Sequence, residues 1–303
     1  MNVGIVGFGI QGKKRSKLLN SKLKFIHDPF SSDKKIRHLN KKKLKDVDSI
    51  FLCVPDKNKI NLIKKFLQLK KNILVEKPLM ISRKEASDIE KKNQNKNFIY
   101  VAYNHRFEPN IINIKKYLDK NIIGQIYKVN ILYGNGTSLL VKKSKWKDKG
   151  DGVLSDLGSH IIDILLQLFP SYKFSFKLID KNNFENKSID HVLFKSLNTK
   201  IKVYCEASLL NWKNKFTIDI YGEKGSIHMD GLCKWGTSVL ILRKRKYPSG
   251  VPSEKIKKIK LKDPTWKKEH NFFENSIGIK EINKELKKSL YITHQLKSLI
   301  KQK

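Results

Sequence analysis

Residues 7–12 read Gly7-Phe8-Gly9-Ile10-Gln11-Gly12, directly after the apolar run Met1–Val6 and ahead of a helical stretch from Lys13 to Asn20. A G-x-G-x-x-G between a strand and a helix narrows the fold more than any other feature of the chain. The first glycine permits a tight turn, the second lets backbone approach a pyrophosphate, and the third lets helix pack on strand. The helix start then offers N–H groups and a partial positive charge to the phosphates. Alone, the glycine pattern is a weak signal. The next apolar run, Leu23 to His27, ends in Asp28. An acid about twenty residues beyond the glycines is placed to accept hydrogen bonds from an adenosine ribose. The competing reading is an ordinary turn aspartate before Pro29. A carboxylate here repels the 2′-phosphate of NADP, and no arginine follows it closely. NAD is therefore the expected cofactor, ahead of NADP.

Strand-like and helix-like runs continue to alternate. Val47–Pro55 reads as a buried strand, Asn58–Leu69 has helical spacing, and Asn72–Val75 is a strand that runs into Glu76-Lys77-Pro78. Ser82 with Glu85 three residues on is a capping-box signature. Phe98–Ala102 is a further strand, followed by Tyr103-Asn104-His105-Arg106-Phe107-Glu108-Pro109. Alternation of this kind predicts an α/β fold with a doubly wound parallel sheet, a Rossmann domain. Ligands bind outside the carboxyl ends of such strands, and Gly7, Asp28, Pro55, Lys77 and Asn104 all fall there. Beyond residue 125 the pattern changes to longer alternating runs: Gln125–Tyr133, Phe174–Ile179, His191–Phe194, Lys200–Ala207, Lys215–Tyr221, Ser226–Met229 and Ser238–Arg243. They predict an open, mostly antiparallel sheet in a C-terminal α/β domain. Tyr247–Asp263 reads as an exposed loop or edge ribbon, and Trp266–Ile277 and Lys280–Lys301 as closing helices. We expect a nucleotide-binding domain over 1–120 and a substrate and oligomerisation domain over 121–303, whose last helix can pack back on the first.

The chain carries 64 basic residues against 28 acidic ones, a net charge of +36, yet only six of the 64 are arginine. Readers of nucleic acid favour arginine for its bidentate contacts. Here the lysines are spread along the whole chain, as A/T-rich codons would also produce. No specific nucleic-acid partner is expected. No run of eighteen or more apolar residues is present, so no membrane span is expected. The N-terminus enters a strand with no basic region or cleavage site before it, and no signal peptide is read. Three well-separated cysteines, Cys53, Cys205 and Cys233, match no metal-ligand spacing and no disulfide framework, which points to the cytoplasm and to no metal.

Asp151–Leu166 is apolar but contains Asp156, His160 and Asp163. Residues four apart share a helix face, so Asp156 and His160 are expected on one side. The plain alternative is an amphipathic helix with Asp156 as its N-terminal cap and His160 as a satisfied core residue.

Glu76-Lys77-Pro78, the N-terminal glycines and Tyr103-Asn104-His105-Arg106-Phe107 together resemble the Gfo/Idh/MocA family of oxidoreductases, which includes glucose–fructose oxidoreductase and inositol dehydrogenase. Further points of resemblance are Lys115–Ile126, Trp146 ahead of Gly150-Asp151-Gly152, the Asp156–His160 segment, and Tyr221-Gly222-Glu223-Lys224-Gly225-Ser226-Ile227. Each motif is weak alone; their order and spacing from residue 2 to about residue 290 carry the resemblance. It implies hydride transfer between a nicotinamide and a secondary hydroxyl or keto carbon of a sugar, cyclitol or nucleotide sugar.

By the resemblance, Lys77 contacts the reacting hydroxyl, His160 is the general base, and Asp156 orients substrate or imidazole. Asn104 and Arg106 are further substrate contacts. The cofactor set is Gly7, Phe8, Gly9, Ile10, Gln11, Gly12, Asp28, Val54, Pro55, Glu76, Lys77 and Asn104. Imidazole, with an ordinary pKa of ~6.5, suits proton transfer near neutral pH. Asp163, on another side of the helix, is read as structural, and Tyr103 and Phe107 as packing. The resemblance also implies a cis peptide before Pro78 and a homo-oligomer formed through the C-terminal sheet. Two departures stand out. The loop after Pro55, where the family often has Asn or Thr and then a histidine, is Asp56-Lys57-Asn58-Lys59, and Asp151 interrupts a glycine triplet. The alternative function is a non-catalytic NAD(H)-binding sensor or regulatory protein, which loss of Lys77 or His160 would have favoured. Another enzymatic reading is reduction of an imine or conjugated bond.

Overall fold

A computed structural model describes residues 1–39, 41–144, 147–197, 200–279 and 283–302. Trp146 and Lys280, both used in the sequence reading, lie outside the described residues. The chain divides into two units, Met1–Asn104 with Trp266–Thr293 and His105–Thr265 with His294–Lys303.

The first unit is built on β1 (Val3–Val6), β2 (Leu23–His27), β3 (Ser49–Leu52), β4 (Asn72–Glu76) and β5 (Ile99–Ala102). These form one sheet in the order β2-β1-β3-β4-β5, with every pair parallel. Helices α1 (Ile10–Leu19), α2 (Lys41–Lys45), α3 (Asp56–Gln68) and α4 (Arg83–Lys92) lie in the connections. The strand order turns back at β1, between β2 and β3, and this switch point is where the glycine turn stands. Strands β1, β3 and β5 are buried at every residue, which explains why they read as unbroken apolar runs rather than as alternation. The capping box at α4 forms as its sequence predicts. Ser82 Oγ accepts the Glu85 N–H at 3.2 Å, and Glu85 Oε2 accepts the Ser82 N–H at 2.8 Å.

The second unit opens with α5 (Pro109–Asp119) and carries α6 (Ser138–Lys142) and α7 (Ser159–Leu168). Its strands are β6 (Ile126–Gly134), β7 (Ser175–Asn182), β8 (His191–Leu197), β9 (Lys202–Ser208), β10 (Lys215–Gly222), β11 (Gly225–Asp230), β12 (Thr237–Lys244) and β13 (Ser253–Lys260). They form an eight-stranded sheet in the order β13-β12-β11-β10-β6-β9-β8-β7. The β6–β9 pair is parallel and the others are antiparallel. Phe216, Ile218 and Ile220 of β10 are buried, while Thr217, Asp219 and Tyr221 point the other way, the alternation of a sheet with one covered face. The basic segment after Tyr247 supplies the edge strand β13. At the opposite edge, Gln302 acts on β7 as a strand would: its Oε1 accepts the Leu178 N–H at 2.8 Å and its Nε2 donates to Phe176 O at 3.2 Å.

The closing helices are α8 (Thr265–Ser276) and α9 (Lys284–Lys301). In the first unit Phe273 of α8 meets Phe51 edge-on, ring centres 5.5 Å apart, and Phe98 at 5.7 Å. No described helix is long and apolar enough to cross a membrane.

Removing the α4 cap with Ser82→Ala leaves the Glu85 N–H without its side-chain acceptor. We expect a loss of about 1 kcal/mol of stability, measured by urea unfolding followed by circular dichroism.

Candidate functional site

In the first unit the site begins with a steric requirement. Gly7 leaves β1 at φ 91°, and a Cβ there would lie 2.4 Å from the carbonyl oxygen of Cys53. A Cβ on Gly12 would lie 2.1 Å from the carbonyl oxygen of Gly7. Both positions therefore need glycine, one for conformation and contact, the other for contact alone. Gly9 is different: nothing stands within 4 Å of its missing Cβ, so its backbone is open to approach. It is also the N-terminal cap of α1, which has no side-chain cap and no acid in its first turn. The positive end of the helix is left for an anion. Ile10 is exposed, Phe8 is half-buried, and Gln11 Oε1 is buried without a hydrogen-bond partner among the described residues.

Asp28 completes this turn. One carboxylate oxygen accepts the Phe8 N–H at 2.8 Å and the other the Phe30 N–H at 2.9 Å. Asp28 thus has the place of a turn aspartate. Each oxygen still has a lone pair for a ribose hydroxyl. An open glycine backbone, an uncapped helix start and a fixed acid together fit a dinucleotide.

The neighbouring strands end on Cys53, Val54 and Pro55 and on Glu76, Lys77 and Pro78. The Lys77–Pro78 peptide is cis. Lys77 is half-buried at the carboxyl end of β4. The carboxylate of Glu76, a residue expected among those that bind the cofactor, is buried and takes Arg15 Nε at 2.6 Å. Arg15, only 1% exposed, also donates through Nη2 to Glu269 at 2.9 Å. Burial works against its charge, but Glu76 and then Glu269 more than offset that, so its pKa lies above the ordinary arginine value. Burial, reinforced by Glu76, pushes the nearby Cys53 thiol up to about 12, which leaves it a poor nucleophile. Asn104, half-buried, ends the first unit at the start of a 3₁₀ turn.

In the second unit the expected straight helix contains a π-helical turn over Leu154–Gly158, closed by Ser159 N–H donating to Leu154 O. Asp156 is in the interior of this turn and exposed, so it is not an N-terminal cap. The Ser159 hydroxyl donates to the Asp156 carbonyl at 3.2 Å. Gly152, at φ 47°, brings the chain in so tightly that a Cβ would lie 2.0 Å from Ile189 O, the acceptor of the Val153 N–H. Turns with i→i+5 bonds recur at functional sites because they re-aim side chains.

His160, 5% exposed, stacks on His105 with ring centres 4.2 Å apart and planes 19° from parallel. His105 Nε2 is 3.0 Å from the Tyr133 hydroxyl, to which Lys234 Nζ donates at 3.0 Å. Lys234 also lies over the Trp235 ring at 4.4 Å. Burial, with Asp156 and then Asp263 adding to it, raises the Tyr133 pKa, so the phenol stays protonated. Arg106 does not stand open as a substrate contact. It is buried, and its Nε and Nη2 form a bidentate pair with Asp163, Nε to Oδ2 at 2.8 Å. Asp163 has the structural place that its helix position suggests.

The structure thus brings the glycine turn, Asp28, Val54, Pro55, Lys77 and Asn104 to the strand ends of the first unit. It gathers His160 with His105, Tyr133 and Lys234 in the second. Sequence reasoning missed His105, Tyr133 and Lys234 as site neighbours. His105 lay inside a motif already singled out, and Tyr133 is on the buried face of β6 by alternation.

Residues 5–105 match the family model for the oxidoreductase family, NAD-binding Rossmann fold. Residues 111–228 match the GFO/IDH/MocA C-terminal domain. The chain belongs to the Gfo/Idh/MocA family. Its N-terminal part is an NAD-binding Rossmann fold. It is 26% identical over 198 residues to the glucose-6-phosphate 3-dehydrogenase of Bacillus subtilis (strain 168), a match covering 60% of this chain and 52% of that one. It is 23% identical over 188 residues to the scyllo-inositol 2-dehydrogenase (NADP(+)) of the same organism, covering 56% and 52%. The chain therefore spans about half the length of these curated relatives. Levoglucosan dehydrogenase, in complex with NADH and levoglucosan, has the same fold, with a TM-score of 0.80 at 16% identity over 99% of this Gfo/Idh/MocA chain and 96% of the other.

Replacing Asp163 by Ala takes the bidentate partner from the buried Arg106. Breaking such a pair costs about 3 kcal/mol or more. We expect a corresponding drop in unfolding free energy by urea titration, with NADH affinity, read by fluorescence, unchanged.

Proposed function

We propose that this protein is an NAD(H)-dependent oxidoreductase that interconverts a secondary hydroxyl and a keto carbon on a sugar, cyclitol or nucleotide sugar. The observation that carries this reading is the shared edge of the first unit's sheet: Lys77 directly follows β4 in the same parallel sheet whose β1 and β2 are followed by the glycine turn and Asp28. The sugar and cyclitol dehydrogenases among the similar proteins support the substrate class.

When bound, the nicotinamide accepts the hydride in oxidation and returns it in reduction. Gly7 to Gly12 would hold the pyrophosphate through backbone N–H groups, and Asp28 would hold the ribose. The Lys77 ammonium favours negative charge on the reacting oxygen. The His160 imidazole takes the hydroxyl proton in oxidation and gives it back in reduction. Asp156 favours the imidazolium formed by that transfer, and Asn104 orients the reactants. Asp28 selects NAD over NADP, because its fixed carboxylate would face a 2′-phosphate.

The reading is tested by following nicotinamide absorbance with NAD and a panel of sugars, cyclitols and nucleotide sugars, with His160→Ala as the blank. Lys77→Ala should leave NADH binding largely intact and lower turnover by ~10²-fold or more; unchanged turnover removes Lys77 from the chemistry. Asp28→Ala should weaken NAD binding relative to NADP in a fluorescence titration. An unchanged ratio would assign ribose recognition to another residue.

A further inference from the structure

Both residues flanking Lys77 are held by buried cations. On one side Arg15 holds the Glu76 carboxylate. On the other, Lys59 Nζ donates to the carbonyl oxygen of Pro78 at 2.7 Å. Lys59 is 2% exposed. It comes from the first turns of α3, where it pairs with Asp56 at 2.5 Å.

A lysine in this place is poorly explained by stability. Burial disfavours its charge and lowers its pKa, with the carboxylates of Asp56 and then Glu76 opposing. A methionine of similar length would fill the space without that cost, and apolar replacements of buried ions are often neutral or stabilising. What an apolar side chain could not do is hold the Pro78 carbonyl. Charge-assisted hydrogen bonds are short and directional, and this one fixes the path of the chain as it leaves Lys77. The ammonium of Lys59 also repels that of Lys77. The stretch that departs from the family's usual Asn or Thr followed by histidine, Asp56-Lys57-Asn58-Lys59, is thus the first turn of α3 and not a loop.

We propose that Lys59 is a positioning residue: with Arg15 it clamps the Glu76–Pro78 turn from both ends and so sets where the Lys77 ammonium is presented. This rests on the role given to Lys77 in the proposed function. Lys59 itself touches neither substrate nor cofactor in this scheme.

The test compares Lys59→Met, Lys59→Arg, Lys77→Ala and the double variant Lys59→Met/Lys77→Ala in the full chain. Hydrogen–deuterium exchange reads the turn without any substrate. In Lys59→Met, peptides covering residues 76–81 should exchange ~10-fold faster or more, while those covering residues 3–12 stay as they are. Lys59→Arg, which keeps a cation, should restore part of the protection. With the substrate found in the panel, Lys59→Met should lower kcat by ~10-fold or more with KM and NADH affinity little changed. The double variant should be no slower than Lys77→Ala alone, because Lys59 acts only through Lys77. Unchanged exchange in Lys59→Met overturns the clamp whatever the activity. Faster exchange with full turnover overturns the positioning role, provided that Lys77→Ala is impaired. If Lys77→Ala also turns over normally, it is the reading of Lys77 that fails, and the exchange data still decide the clamp. Multiplying effects in the double variant would give Lys59 a separate role and overturn the proposal. Should Lys59→Met not fold, Asp56→Asn loosens Lys59 without emptying its place and is judged by the same exchange and turnover.

Discussion

One guanidinium joins three separated stretches of the first unit. Arg15 lies a turn beyond the glycines on α1, Glu76 ends β4, and Glu269 comes from α8. Its charge is further enclosed by the Trp266 ring at 4.8 Å, and the Tyr100 hydroxyl donates to Glu269 at 3.4 Å. Taking these charges out of water is expensive, and the cost is met only when each charge has a close partner. The geometry is therefore narrow: α1 cannot shift along the sheet without parting a buried pair. The helix that follows the glycine turn and the strand that leads into Lys77 are held in one frame by this contact. The close approach of Gly12 to Gly7 has the same effect from the backbone side, since neither position has room for a side chain.

In the second unit the comparable constraint is the π-helical turn. One hydrogen bond spans an extra residue, from Ser159 to Leu154, and the carbonyl of Asp156 is satisfied by a hydroxyl instead of by the next helical N–H alone. The turn leaves Asp156 exposed while the helix that follows is buried nearly all round. An acid open to solvent and an imidazole within the core are thereby produced by neighbouring residues of one helix. Arg106 and Asp163 lock the same helix to the 3₁₀ turn that carries His105, the ring on which His160 rests.

Local rules were readable in the sequence wherever a residue's neighbours in the chain decide its structure. The glycine turn, Asp28, the Ser82–Glu85 cap and the alternation along β10 are of this kind. The identity of buried partners was not readable. Arg106 meets Asp163 across 57 residues of chain and Arg15 meets Glu269 across 254, and spacing does not say which acid meets which base. Both arginines were therefore hidden in plain motifs, and Glu76 was read by its place at a strand end rather than by its partner. The π-turn escaped because its residues fit an ordinary helix, and the close approach of Gly152 to Ile189 just before it is a contact that no local spacing announces. Lys59 escaped because composition makes it one lysine among 58, the 64 basic residues less six arginines, and nothing local marks it as buried.

The two edges of the eight-stranded sheet end differently. At β7 the side chain of Gln302 occupies the backbone donors and acceptors of Phe176 and Leu178, a primary amide standing in for a peptide group. At β13 no further strand pairs with the backbone edge among the described residues, and the strand bears Lys255, Lys257, Lys258 and Lys260. A second molecule adding its own β13 there would set lysine against lysine at the ~4.8 Å spacing of paired strands. Self-templated growth of the sheet is thus refused by occupancy at one rim and by like charge at the other. Only the second guard depends on the medium, because the reach of surface charge contracts to ~8 Å at physiological ionic strength and further in concentrated salt. Lysines along an edge strand are one of the devices by which natural sheets discourage edge-to-edge pairing.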